Sequence, residues 1–232
     1  MTGVQTCALP ILAVRAAPRS FELKVRFASS LLNAGGLPST ARAREVLKDA
    51  LSLRANDERA SLLLARAERA GGDFDAAETT LREFVGKNPR SARGYAALAE
   101  TLEVRQRYQP VVDTLVPALT QFRGDASGGA SLALLLPHLG FAHQQLGQHE
   151  QAIAAFEEAS KLAPSDTTLT GYLIEAHVAA KHYAQAAQLA AAARAAQPNE
   201  LRLAQLEAQA LRKDGKSAQG LTALEEIGRA HV

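Results

Sequence analysis

Cysteine, methionine and tryptophan are almost absent from the 232-residue sequence, which has one Cys, one Met, no Trp and 5% aromatic residues. The single cysteine, Cys7, lies close to the N-terminus. The rest of the chain therefore has no thiol with which to form a disulfide, ligate zinc or act as a nucleophile. No uninterrupted apolar run approaches the ~20 residues that a membrane-spanning helix needs, so we predict no membrane span.

Motifs of common catalytic sites are also missing. The sequence has no GxxxxGK[ST] phosphate-binding loop and no GxSxG nucleophile motif. His149-Glu150 begins like the HExxH motif of metalloproteases, but the second histidine does not follow. We therefore predict a non-enzymatic chain without metal or cofactor. Five histidines are interpreted as packing residues: His138, His143, His149, His177 and His182.

The two ends of the chain differ from the rest. Residues 1–11 (MTGVQTCALPI) and 226–232 (EIGRAHV) resemble translations of the two strands of one sequencing adapter. The string GACGTGTGCTCTTCCGATCT is compatible with codons for the first stretch, and its reverse complement with codons for the second. We expect both to be non-native tails, which leaves residues 12–225 as an internal fragment and the compartment unknown. A genuine but unusual pair of tails is the alternative.

Composition and charge favour a helical binding protein. Apolar residues make up 47% of the chain and are mostly Ala and Leu, which are strong helix formers. Residues 12–93 contain fifteen Lys and Arg against ten Asp and Glu, whereas residues 94–225 contain ten against thirteen. A modestly basic half can attract an acidic peptide or a nucleic-acid backbone. Solvated helix faces explain the same charges, and we expect no nucleic-acid partner.

A repeat of thirty-four residues organises the chain, since Pro164 and Pro198 lie thirty-four residues apart at the ends of two Ala-rich segments. The stretch LLPHLGFAHQQLGQHEQAIAAFEEASKLAP, residues 135–164, resembles the tetratricopeptide repeat, with its Leu-Gly, Ala-x3-Phe and final Pro. The residues at these places are Leu139-Gly140, Ala152, Phe156 and Pro164.

This resemblance implies an all-α fold, an α-solenoid (superhelix) of stacked antiparallel helix pairs. Residues 12–125 are predicted to hold repeats 1–3 (about 21–57, 58–91 and 92–125), and residues 133–225 repeats 4–6 (133–166, 167–200 and a truncated 201–225). A Gly-rich insertion at residues 126–132 separates them.

Several local features follow from the repeat pattern. Gly72, Gly147 and Gly215 are predicted to end first helices in a left-handed conformation. We expect a long turn at residues 35–40 and a flexible joint near 124–132. Pro137 is expected to delay or kink the helix that contains it.

The resemblance also implies a function: a protein–protein interaction scaffold that holds a partner peptide or helix in a groove lined by the first helices. A regulatory or substrate-presenting region of a larger enzyme, or an envelope-associated protein in surface-polymer export, are the alternatives. By the geometry of such repeats, the groove residues are Arg59, Leu62, Arg66, Arg69, Arg93, Ala96, Glu100, Glu103, Leu134, Pro137, Phe141, Gln144, Thr168, Gly171, Glu175, Val178, Arg202, Gln205, Gln209 and Arg212.

The strongest candidates for partner binding lie in the N-terminal part of this groove. They are Arg59, Arg66, Arg69, Arg93 and Glu100. Because guanidinium groups bind carboxylates through two parallel hydrogen bonds, this row favours an acidic protein or peptide. The alternative is that the neighbouring acids Glu68, Glu100 and Glu103 simply neutralise it.

Overall fold

The computed structural model describes residues 19–125, 128–198 and 200–230, without the side chains of residues 225–230. The tail predicted at residues 1–11 lies outside these ranges, as do residues 231–232 of the other tail. All regular structure in the described residues is helical. The helices are α1 (Phe21–Ala34), α2 (Leu37–Leu53), α3 (Glu58–Ala70), α4 (Phe74–Lys87), α5 (Ala92–Val104), α6 (Tyr108–Arg123), α7 (Gly129–Gln145), α8 (His149–Leu162), α9 (Thr167–Ala179), α10 (Tyr183–Ala196), α11 (Leu201–Lys213) and α12 (Ser217–Ala230).

The helices form two compact units, Met1–Arg107 with α1–α5 and Tyr108–Val232 with α6–α12. Within each unit every helix packs against the next one along the chain. The odd-numbered helices also contact each other, α1 with α3 and α3 with α5 in the first unit, and α7 with α9 and α9 with α11 in the second. Each unit is therefore a two-layered stack of helix pairs, as in an all-α solenoid, with the odd-numbered helices in one layer.

Short polar side chains begin five of the helices. The side chains of Ser20, Asp57, Asp73, Ser91 and Asp166 each accept a hydrogen bond from a backbone N–H in the first turn. Such a cap satisfies one of the four N–H groups that a helix start leaves without a partner, and contributes about 1 kcal/mol. These residues therefore fix where the chain turns from loop into helix.

The core is shared between successive pairs. In the second unit, Ala186, Ala187 and Ala190 of α10 are buried together with Leu203 and Leu206 of α11. The small alanine side chains allow α11 to approach closely, and its leucines fill the space that they leave. Neither pair thus has a complete core of its own.

Gly140 permits the closest approach between α7 and α8. A Cβ atom on Gly140 would lie 2.7 Å from Cε1 of Phe156, whose ring is fully buried. Gly94 of α5 is related in the same way to Phe84, at 2.8 Å. In both places the glycine makes room for an aromatic ring of the even-numbered layer.

The turns that follow α3, α7 and α11 confirm the predicted left-handed glycines. Gly72, Gly147 and Gly215 have φ values of 82°, 72° and 80°. The turns after α5 and α9 adopt the same conformation without glycine, at Gln106 (φ 55°) and Lys181 (φ 65°). Two of the turns therefore place a residue with a side chain where its Cβ is strained.

Three local predictions were wrong. The turn expected at residues 35–40 is confined to Gly35 and Gly36, because Pro38 is accommodated in the first turn of α2. The last residues of the insertion, 129–132, already belong to α7, and Leu132 is buried. Residues 126–127 lie outside the described ranges. Pro137 does not delay its helix, since α7 begins eight residues before it. The division into six repeats is retained as a proposal.

Replacing Lys181 by glycine should stabilise the protein. The left-handed conformation costs a residue with a Cβ about 1–2 kcal/mol, part of which glycine loses again through its greater freedom in the unfolded chain. We expect a net gain of about 1 kcal/mol in the free energy of unfolding, measured in urea. Lys181→Ala is the control because it removes the charge but keeps the Cβ. An equal gain in both variants would contradict this explanation.

Gly140→Ala should destabilise the protein, because the new methyl group meets the Phe156 ring. Overpacking of this kind costs ~1–3 kcal/mol, which exceeds the gain of ~1 kcal/mol that alanine brings to a helix. A double-mutant cycle with Phe156→Leu tests the contact directly. We expect Gly140→Ala to be better tolerated in the Phe156→Leu variant than in the parent. Strict additivity of the two unfolding free energies would argue against it.

Candidate partner-binding face

The predicted arginine row lies on the odd-numbered layer of the first unit. Arg59, Arg66 and Arg69 are on α3, and Arg93 and Glu100 are on the adjacent α5. Residues seven and three apart lie on the same side of a helix, which places the three α3 arginines together. We call the surface formed by these five residues the arginine face.

Three of the four arginines form ion pairs with a neighbouring odd-numbered helix. The pairs are Arg59–Glu22 at 3.2 Å, Arg69–Glu100 at 2.9 Å and Arg93–Glu58 at 3.9 Å. Glu58 also accepts a hydrogen bond of 2.8 Å from the hydroxyl of Ser91. The pairs therefore cross from α1 to α3 and from α3 to α5.

Arg66 differs from the other three. Its side chain is exposed and makes no ion pair within the part of the chain that the structure describes. It lies on the same face of α3 as Arg59 and Arg69, so it presents free hydrogen-bond donors between two paired guanidinium groups. This combination of exposed charge and uncommitted donors is the feature of the face that a carboxylate would recognise.

Glu68 does not take part in neutralising the arginine face. Its side chain is buried, 2% exposed, and accepts a hydrogen bond of 2.9 Å from the Thr80 hydroxyl. Burial raises the pKa of the Glu68 carboxyl, although the Thr80 hydrogen bond and the nearby Arg44 and Lys48 lower it. The expectation that this residue balances the arginines was wrong, because it faces the core. Glu100 does act as expected, through Arg69.

Sequence reasoning missed two acids of this face, Glu22 and Glu58. Each pairs with an arginine about one repeat later, thirty-seven residues for Arg59 and thirty-five for Arg93. The repeat spacing was a usable signal, since residues one period apart lie on neighbouring helices of the same layer. Only acids within three residues of the arginines or on the same helix had been considered.

The odd-numbered layer of the second unit has a different character. Arg202 pairs with Glu175 at 2.9 Å, and its guanidinium lies 5.5 Å from the ring centre of Tyr172. It also lies against Gly171, where a Cβ would be 3.2 Å from its Cζ. Phe141 packs edge-on against Tyr108, with ring centres 5.8 Å apart. In this layer the cation that was predicted for the groove is held by an acid and a ring.

Neither a metal site nor a membrane span is found in the described ranges. No three His, Cys, Asp or Glu side chains there are placed so that they could hold a metal ion. None of the helices described above has both the length and the apolar character that crossing a bilayer requires.

A family model described as "Tetratricopeptide repeat" matches residues 39–101 and 144–210, which together make up more than half of the chain. The chain belongs to the tetratricopeptide repeat (TPR) family. The two matched segments lie on either side of the boundary between the compact units. No curated protein sequence matches this TPR chain.

Solved structures show the same fold. PilF of Pseudomonas aeruginosa is similar over 89% of this chain and 91% of its own, with 17% identity and a TM-score of 0.64. YrrB, a TPR protein with an unusual peptide-binding site, covers 85% of this chain and 96% of its own at 13% identity and a TM-score of 0.58. MamA covers 72% and 93% at 16% identity and a TM-score of 0.59. The TPR fold is that of a protein-interaction scaffold, and this chain is one.

The histidines of the second unit serve packing in this TPR fold. His143 lies 2.6 Å from the side-chain oxygen of Gln148 through Nδ1. His177 lies beside His182, with ring centres 5.7 Å apart, and its buried Nδ1 has no hydrogen-bond partner among the described residues. Burial and the neighbouring His182 lower the pKa of His177, although Glu157 and Glu150 oppose this shift.

The lowered pKa of His177 predicts acid sensitivity. Because its folded-state pKa lies below the ordinary value of 6.5, the unfolded chain takes up the proton first, and stability falls as the pH drops below about 6.5. His177→Gln should reduce the loss of unfolding free energy between about pH 6.5 and pH 5. The control is His149→Gln, which makes the same change at the start of α8. The prediction is wrong if both variants follow the parent's pH profile.

Proposed function

We propose that the arginine face binds an acidic segment of a partner protein, with Arg66 as the central contact. The free guanidinium of Arg66 carries this proposal, because it needs no internal pair to be broken before it binds a carboxylate. Arg59 and Arg93, on either side, are mostly exposed and add positive potential to the same face.

The existing ion pairs favour exchange with a partner. Exposed pairs contribute only ~0–1 kcal/mol each, so a partner carboxylate can replace Glu22 or Glu58 at low cost. The Arg93–Glu58 pair is the longest of the three at 3.9 Å and is therefore the easiest to replace. Arg69 is less available, since its side chain is three-quarters buried and lies 2.9 Å from Glu100.

A binding titration with a fluorescein-labelled oligoglutamate peptide tests the proposal. We expect the double variant Arg66→Glu/Arg93→Glu to weaken binding at least about tenfold, which corresponds to ~1.4 kcal/mol, and the affinity of the parent to fall with salt. Glu100→Gln should strengthen binding, because it frees Arg69. Far-UV circular dichroism checks that the helices persist in each variant.

The matched control is Arg42→Glu/Arg90→Glu, which makes the same change of charge away from the arginine face. Arg42 pairs with Glu45 on α2, in the other layer of the first unit, and Arg90 is exposed after α4. If both double variants weaken binding equally, the effect is one of overall charge, and the arginine face is not the site. Binding of an oligoglutamine peptide with the same affinity would also count against it.

A further inference from the structure

A second surface, separate from the arginine face, lies between α11 and α12. It is a groove of ≈ 460 Å³ with a largely apolar lining. We call it the end groove, and its lining residues are Gln205, Ala208, Arg212, Gly220, Leu221 and Leu224. Leu221 is 62% exposed and Leu224 40% exposed, and no described residue covers them.

The repeat spacing shows what such a groove holds elsewhere in the chain. Thirty-four residues before Leu224 is Ala190, thirty-four before that is Phe156, and forty-one earlier is Leu115. All three are fully buried. Ala190 is covered by leucines of α11, and Phe156 by Leu173 and Ala176 of α9. At each of these two positions, therefore, the following odd-numbered helix lies in the groove.

The dimensions of the end groove resemble those of the groove that α9 fills. Gly220, Leu221 and Leu224 correspond to Ala152, Ile153 and Phe156, which are a small residue, a branched aliphatic residue and a large apolar residue. The buried face of α9 is therefore a better guide to the ligand than α11, which packs against alanines only. It presents Leu173, followed two residues later by the partly exposed Glu175.

Charge at the rim of the end groove selects an acid at the same place. Arg212 occupies the repeat position of Arg69, and Arg69 pairs with Glu100 of the following odd-numbered helix at 2.9 Å. Glu175 is the residue of α9 that corresponds to Glu100. Arg212 itself is exposed and has no ion pair within the described residues.

We propose that the end groove binds, in trans, an amphipathic helix of a partner protein that carries leucine and, two residues later, glutamate. The leucine covers Leu221 and Leu224, and the glutamate pairs with Arg212. A second copy of this chain is a poorer occupant. The helices that carry the pattern are α5 and α9, and their leucines, Leu98 and Leu173, are buried within their own units.

A labelled synthetic peptide with the α9 sequence, TTLTGYLIEAHVA, is the probe for this site. Fluorescence anisotropy with the full chain should show saturable binding, and a scrambled peptide should bind at least about tenfold more weakly. Leu221→Glu and Leu224→Glu should each weaken binding by about tenfold, as expected for the loss of one buried leucine contact. Both side chains are exposed, so the variants are expected to keep the parent's circular dichroism spectrum.

A charge exchange tests the polar contact independently of the apolar one. Arg212→Glu should weaken binding of the parent peptide, and a peptide in which the glutamate is replaced by arginine should regain affinity for that variant. Failure of this rescue, or equal binding by parent and Leu221→Glu chains, would overturn the proposal. A peptide that is lost on Arg66→Glu but not on Leu221→Glu binds the arginine face instead and also overturns it.

The oligomeric state decides between a partner helix and a second copy. Light scattering on the free chain should show a monomer at the concentrations used for binding. A dimer that Leu221→Glu converts to monomer would assign the end groove to self-association and overturn the proposal. The arginine face is tested with a different peptide and different variants, so either proposal can fail without the other.

Discussion

A single helix pair in this chain cannot bury its own apolar surface, and the rest of the structure depends on that constraint. Ala186, Ala187 and Ala190 of α10 are buried only because the leucines of α11 lie over them. Burial of apolar surface is the main favourable term in folding, so each pair is stabilised by its neighbour as much as by its own two helices. Small residues such as Gly140 follow from the same need for close approach.

Stacking also creates the binding surface. Because the odd-numbered helices contact each other within a unit, long polar side chains on one helix reach the next. Ion pairs such as Arg59–Glu22 and Arg69–Glu100 are the result. Their exposure makes them weak and replaceable, which suits a surface whose function is to bind other proteins.

Much of the positive charge of the N-terminal part is used inside the first unit. Glu78, a buried acid of α4, is held by Arg82 at 2.5 Å, Arg107 at 2.6 Å and Arg105 at 3.1 Å. Arg105 also pairs with Asp75 at 2.6 Å. A buried carboxylate is tolerable only when it is paired and hydrogen-bonded in this way. The basic balance therefore overstates how many cations are free for a partner, and Arg66 matters because it is not paired within the described residues.

The sequence by itself determined the fold class, the TPR family and the left-handed glycines, because a thirty-four-residue pattern of small and apolar residues is a local property of the chain. It did not determine that Gln106 and Lys181 adopt the glycine conformation, since packing on both sides of each turn imposes it. It also did not determine that Glu68 faces the core while Glu22 and Glu58 reach the arginines. Those pairings depend on which helices become neighbours, and only the tertiary structure decides that.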